Sequence, residues 1–180
     1  MFGRKGFTVA LVMLALAAPL GAETALTGHW QSSSLELALT SDFHKSVYGS
    51  GAKSVRSVTL NIKPSGEGVF QVTNSVRDRQ GHVVAGTREI EDVTFSVGDL
   101  VQEPGRPPHY TTHVTHAERR FTDDPQSAFA HDGVMLAIYR KDDKAGEIEV
   151  RFDTPEGTGS FWETMHRAAA HTAKPAARTS

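Results

Sequence analysis

Apolar side chains recur at every second position in short runs along most of the chain. Leu35, Leu37 and Leu39 alternate with Ser34, Glu36 and Ala38, and Val58, Leu60 and Ile62 alternate with Thr59, Asn61 and Lys63. Phe70, Val72, Asn74 and Val76 then share one face, opposite Gln71, Thr73 and Ser75. A period of two predicts strands, because successive side chains leave a pleated backbone on opposite sides. Helical spacing is nearly absent; 41–47 alone offers a helical turn, with Ser41 or Asp42 as its cap.

Turn residues cut these runs at regular intervals. Lys63-Pro64-Ser65-Gly66-Glu67-Gly68 reads as a turn, and Arg77 to His82 as a hairpin loop whose late Gly81 tolerates the positive φ that closes such loops. From Val83 to Val97 the apolar phase changes, even at Val84 and Ile90 but odd at Val93, Phe95 and Val97, which predicts a bulge between Ile90 and Val93. The segment 98–108, with Pro104, Pro107 and Pro108, is a loop. Strands follow over 110–121, 134–140, 148–152 and 159–166, with 122–130 as a connection. Eight or nine hairpin-linked strands at this spacing predict an all-β, antiparallel up-and-down β-barrel, with a sandwich as the alternative.

Residues 1–22 break the pattern. Arg4 and Lys5 precede an apolar run from Phe7 to Ala18, then Pro19-Leu20-Gly21-Ala22, the order of a secretory signal with cleavage after Ala22. The run is roughly twelve residues against the roughly twenty a spanning helix needs, so no permanent anchor is expected after cleavage, an uncleaved anchor being the alternative. The expected organisation is a signal peptide over 1–22, one β-barrel domain over 23–167 and an Ala-rich, disordered tail over 168–180. The destination is the periplasm or the exterior. With no cysteine, stability must come from core burial rather than disulfides. Setting aside Arg4, Lys5, Lys174 and Arg178 takes the formal charge from −2 to −6, and a mildly acidic domain is not built for nucleic acid.

The first strand of the mature chain opens Leu26-Thr27-Gly28-His29-Trp30-Gln31. This Gly-x-Trp, followed by a strand meander, resembles the opening strand of the lipocalin, avidin and related calycin barrels. The resemblance implies that Gly28 lets the strand bend across the closed end, that Trp30 plugs the barrel floor, and that Arg167 is the cation stacking on it. No set of biotin-contacting residues accompanies it.

His109, His113 and His116 fall within eight residues, a spacing that on a helix would converge on Zn²⁺ or Cu²⁺. Thr, Val and Tyr dominate the segment, which favours a strand, and there His109 and His113 stand about 13 Å apart while His116 points to the other face. No local metal site is expected. With Tyr110 and Val114 inward, Thr112 and His116 would follow, so Tyr110, Thr112 and His116 are the candidate ligand-binding residues of a polar lumen. No catalytic motif is present and nothing calls for a cofactor. The expected function is an exported, non-catalytic barrel that binds a small molecule. The alternatives are a protein-interaction module, an inhibitor or envelope assembly factor using loop 98–108, and a periplasmic metal-binding protein.

Overall fold

A computed structural model describes residues 25–121, 124–141, 146–155, 157 and 159–168. The expected signal segment 1–22 and residues 169–180 of the expected tail lie outside the described residues.

Ten strands form one antiparallel sheet: β1 (Gly28–Ser32), β2 (Leu35–Ala38), β3 (Lys53–Ile62), β4 (Glu67–Arg77), β5 (Glu89–Val101), β6 (His109–Phe121), β7 (Asp124–Ala130), β8 (Met135–Arg140), β9 (Glu147–Asp153) and β10 (Phe161–Arg167). The sheet curls round on itself, because β1 hydrogen-bonds both β3, through Trp30 opposite Leu60, and β10, through Trp30 opposite Arg167. Going round, the order is β1, β3, β4, β5, β6, β8, β9, β10 and back to β1, a ring-like closure that removes most free edges. β2 continues the line of β1 along β3, and β7 runs beside β6.

Alternation places the core inside the ring. Leu60, Phe70, Val93, Ile138, Val150 and Met165 are fully buried there, and Phe70 stacks on Phe152 at 5.5 Å between ring centroids. The short helix α1 (Asp42–Tyr48) lies outside with no buried residue; the Ser41 hydroxyl accepts from the His44 N–H at 3.1 Å and Gly49 ends it at φ 85°.

Three expectations are corrected. β2 pairs as a strand but is exposed along its length, so the 34–40 alternation marks no buried face. Residues 124–130 form a strand rather than a connection. β4 and β5 pair in unbroken register from Glu89 to Ser96, with no bulge between Ile90 and Val93. The apparent phase change has another origin: Glu91 takes the inward position, and Ile90, on the outer side, is also buried. The irregularity comes later. Thr94 faces His116 but Phe95 faces Val114, so Thr115 is an extra residue in β6.

Candidate functional site

The wall of the ring opens between β6 and β8. These strands pair only where His109, Tyr110 and Thr111 meet Tyr139, Ile138 and Ala137. Beyond that point β6 turns to β7 for its partner, through Glu118 and Arg119. Two tethers span the gap: the Thr112 hydroxyl donates to the Leu136 carbonyl at 2.6 Å, and the His131 N–H donates to the Ala117 carbonyl at 2.9 Å. Gly133, at φ 78°, turns the chain from β7 into β8 at the far end. A cleft of about 630 Å³ runs along this gap and continues over the outer face to Tyr139, Arg151 and Asp153. Val114, Ala117 and Leu136 supply its apolar depth, and His113, His116 and Asp132 its polar sides.

The candidate ligand residues separate here. Thr112 and His116 both line the cleft, but Tyr110 does not; it is sealed into the core at 1% exposure. His116 does not share the inward face with Tyr110. The extra residue at Thr115 reverses the alternation, so Ala117 points inward and the His116 side chain is 57% exposed, 3.7 Å from Glu118. His113 is also exposed. Among the described residues no three His, Asp or Glu side chains form a group that could hold a metal ion.

Sequence reasoning missed the ionic network behind this cleft. Glu91, inside the ring, receives the Arg119 Nε–H at 2.7 Å and hydrogen-bonds the His131 ring at Nδ1. Arg119 also bridges Glu89 at 3.0 Å. Both Glu91 and His131 are buried, and His131 lines the cleft, so the network joins the interior to the opening. With both carboxylate oxygens engaged, the buried charge is compensated as burial requires. A second interior pair lies under β10: Arg56 rests 4.2 Å over the Phe161 ring and 3.6 Å from Glu163. Burial pushes the Glu163 carboxyl above the usual range, while the Arg56 charge and the Ser32 hydroxyl pull it back.

Outside, a ladder of rings leads away from the cleft. His109 stacks on Tyr139 with centroids 4.9 Å apart, and Tyr139 meets Trp162 at the same separation, tilted 47°. Phase could not have exposed this, since Phe161 and Trp162 are adjacent aromatics and either could have faced inward.

At the Gly28 end of the ring, Gly28, Trp30 and Arg167 come together. Trp30 is 2% exposed and its indole N–H donates to the Leu26 carbonyl at 2.8 Å. The Arg167 guanidinium lies 4.4 Å over its ring and donates to the Thr27 and Ala25 carbonyls. Of the segment 98–108, residues 98–101 belong to β5; the remainder is pinned by Gln102 donating to the Arg106 carbonyl and by the Arg106–Glu103 ion pair. No protein-family model matches the chain, and no curated protein matches it.

Proposed function

We propose that this is an exported, non-catalytic binding protein of lipocalin-like type that holds a small molecule in the cleft between β6 and β8. The observation that carries the reading is the loss of pairing between those strands, beside which lies a cleft of about 630 Å³ with both apolar and polar walls. Pockets for small molecules run from roughly 300 to 1,000 Å³ and combine apolar walls with a few polar groups. The reading moves the ligand from a central lumen to the side, because the core around Tyr110 is filled. Support for a binding role without chemistry comes from Glu91, whose oxygens are taken by Arg119 and His131 and so serve as a brace. The ring-like closure, with Trp30 and Arg167 at one end, supports kinship with the calycin barrels. Export to the periplasm or beyond rests on the 1–22 segment.

Titration with the dye 1-anilinonaphthalene-8-sulfonate tests the cleft. Ala137 lines it, and Ala137→Phe should fill it. Dye binding is expected to fall about tenfold, which is 1.4 kcal/mol, with the melting temperature unchanged. Equal dye binding by wild type and variant would remove the cleft as the site.

A further inference from the structure

Trp162 is 53% exposed on the outer face of the ring, an unusual place for the largest apolar side chain. It stands at one end of a straight cross-strand row. Trp162 is opposite Arg151, Arg151 is opposite Ala137, and Ala137 is opposite Thr111 at the lip of the cleft. Three strand spacings make this row roughly 14 Å long.

We propose that this row is a carbohydrate-binding platform that takes a short, neutral oligosaccharide of gluco-configured pyranose rings, one ring on Trp162 and the chain running toward the cleft. The proposal rests on the cleft reading above, since Thr111, Ala137, Arg151 and Asp153 line that cleft, and Trp162 extends it outward. The geometry suits such rings in three ways. A pyranose with equatorial hydroxyls presents a flat face of C–H groups, which packs on an exposed indole, while its rim needs paired hydrogen-bonding groups. Trp162 is held in place by Tyr139 at 4.9 Å and by Arg151, whose guanidinium carbon is 5.6 Å from the indole centroid. Next to it Arg151 and Asp153 are locked together, Nε to Oδ2 at 2.6 Å and Nη2 to Oδ1 at 3.3 Å, yet their side chains stay 40% and 21% exposed. The pair offers donors and acceptors in one plane, the pattern that vicinal hydroxyls match. Ala137 keeps the middle of the row low.

Charge and area argue for a neutral sugar over other occupants. Arg151 and Asp153 cancel, and the neighbouring outward residues Glu149, Thr164 and His166 create no strongly basic patch for a phosphate or a nucleic acid. A single indole ringed by polar side chains is also far short of the roughly 800 Å² per partner that a stable protein interface buries.

Isothermal titration with cellohexaose and with chitohexaose tests the platform, using wild type, Trp162→Ala, Trp162→Phe and Ala137→Phe. At least one hexasaccharide should bind wild type. Trp162→Ala should weaken it about tenfold or more, while Trp162→Phe, which keeps a ring, should stay within about threefold. Since Trp162 is exposed, both variants should melt like wild type. Ala137→Phe should weaken binding without abolishing it. Absence of binding by both hexasaccharides while the dye still enters the cleft would overturn the platform and leave the cleft reading intact. Hexasaccharide binding indifferent to Trp162→Ala would overturn it as well. Binding lost in Trp162→Ala in a protein whose dye binding is indifferent to Ala137→Phe would support the platform and remove the cleft.

Discussion

The Arg167 guanidinium covers the buried face of Trp30 at 4.4 Å and, in the same position, donates to the Thr27 and Ala25 carbonyls at 2.6 and 2.8 Å. One side chain from the last strand thus closes the ring over the first and ties down the segment that leads into it. Truncating a buried aromatic of this size typically costs about 3–5 kcal/mol, so Trp30→Ala should lower the melting temperature sharply. Arg167→Ala should cost less, about 1–2 kcal/mol, through lost stacking and lost bonds to carbonyls. Gly28→Ala should also destabilise: its φ is 134°, and an added Cβ would sit 2.7 Å from Arg167 Nη1. Thermal melts of the three variants check this ordering, and an unchanged Trp30→Ala melt would contradict the plug.

This end of the fold was legible from the sequence because Gly-x-Trp and a late Arg are local marks, and strict alternation at Val58, Leu60 and Ile62 fixes a strand whatever surrounds it. Other features depend on pairing. Glu91 on the inward face looked like a bulge, because a buried acid is invisible until Arg119 and His131 are seen beside it. The cleft arises where β6 exchanges β8 for β7, a choice of distant partner that leaves no periodic trace. β2 had the pattern of a buried strand but continues β1 along β3, exposed throughout.

Glu91 and His131 should be energetically coupled. Removing the imidazole leaves a buried carboxylate oxygen short of a partner, which costs about 1–3 kcal/mol, so His131→Ala should destabilise although it sits in a loop. Glu91→Gln should remove much of that sensitivity. A double-mutant cycle by urea unfolding is expected to give a coupling energy of about 0.5 kcal/mol or more. Strict additivity would mean that the pair is incidental.

Gly68 faces the distal end of the Phe95 ring, and a Cβ there would overlap its Cζ. Gly68→Ala should therefore cost about 1–3 kcal/mol, the usual range for overpacking, even though Gly68 is in a strand, where alanine alone would help. Combining it with Phe95→Leu should recover part of the loss. Melting curves of the single and double variants distinguish steric overlap from a backbone effect.

Glu163 should give the fold a pH signature of its own. Its carboxyl is raised by burial, so the folded state holds the proton more tightly than the unfolded chain does. Its contribution to stability is then fully present below pH 4.5 and is lost as pH rises through the folded-state value. Glu163→Gln cannot ionise and lacks this slope. The melting temperature of wild type minus that of Glu163→Gln should fall as pH is raised from about 4 to 7. A difference that rises instead would mean that attraction to Arg56, at 3.6 Å, outweighs the burial.

The four histidines at the cleft should differ in reactivity in an order set by the extra residue at Thr115. Unbroken alternation would hide His116 behind Tyr110 and expose His113 alone. With Thr115 inserted, both imidazoles stand at the surface, while His109 and His131 are 9% and 8% exposed, one stacked on Tyr139 and the other bound to Glu91. Diethylpyrocarbonate attacks accessible neutral imidazole nitrogens, so His113 and His116 should label quickly and His109 and His131 slowly, as read by peptide mass mapping. Deleting Thr115 would restore the alternation, but it would also pull β6 out of register with Phe95 and Val97. A gentler variant is Thr115→Gly, which keeps the extra residue and should leave the order unchanged. Slow labelling of His116 in wild type would place it inside the ring and return the candidate site to the interior.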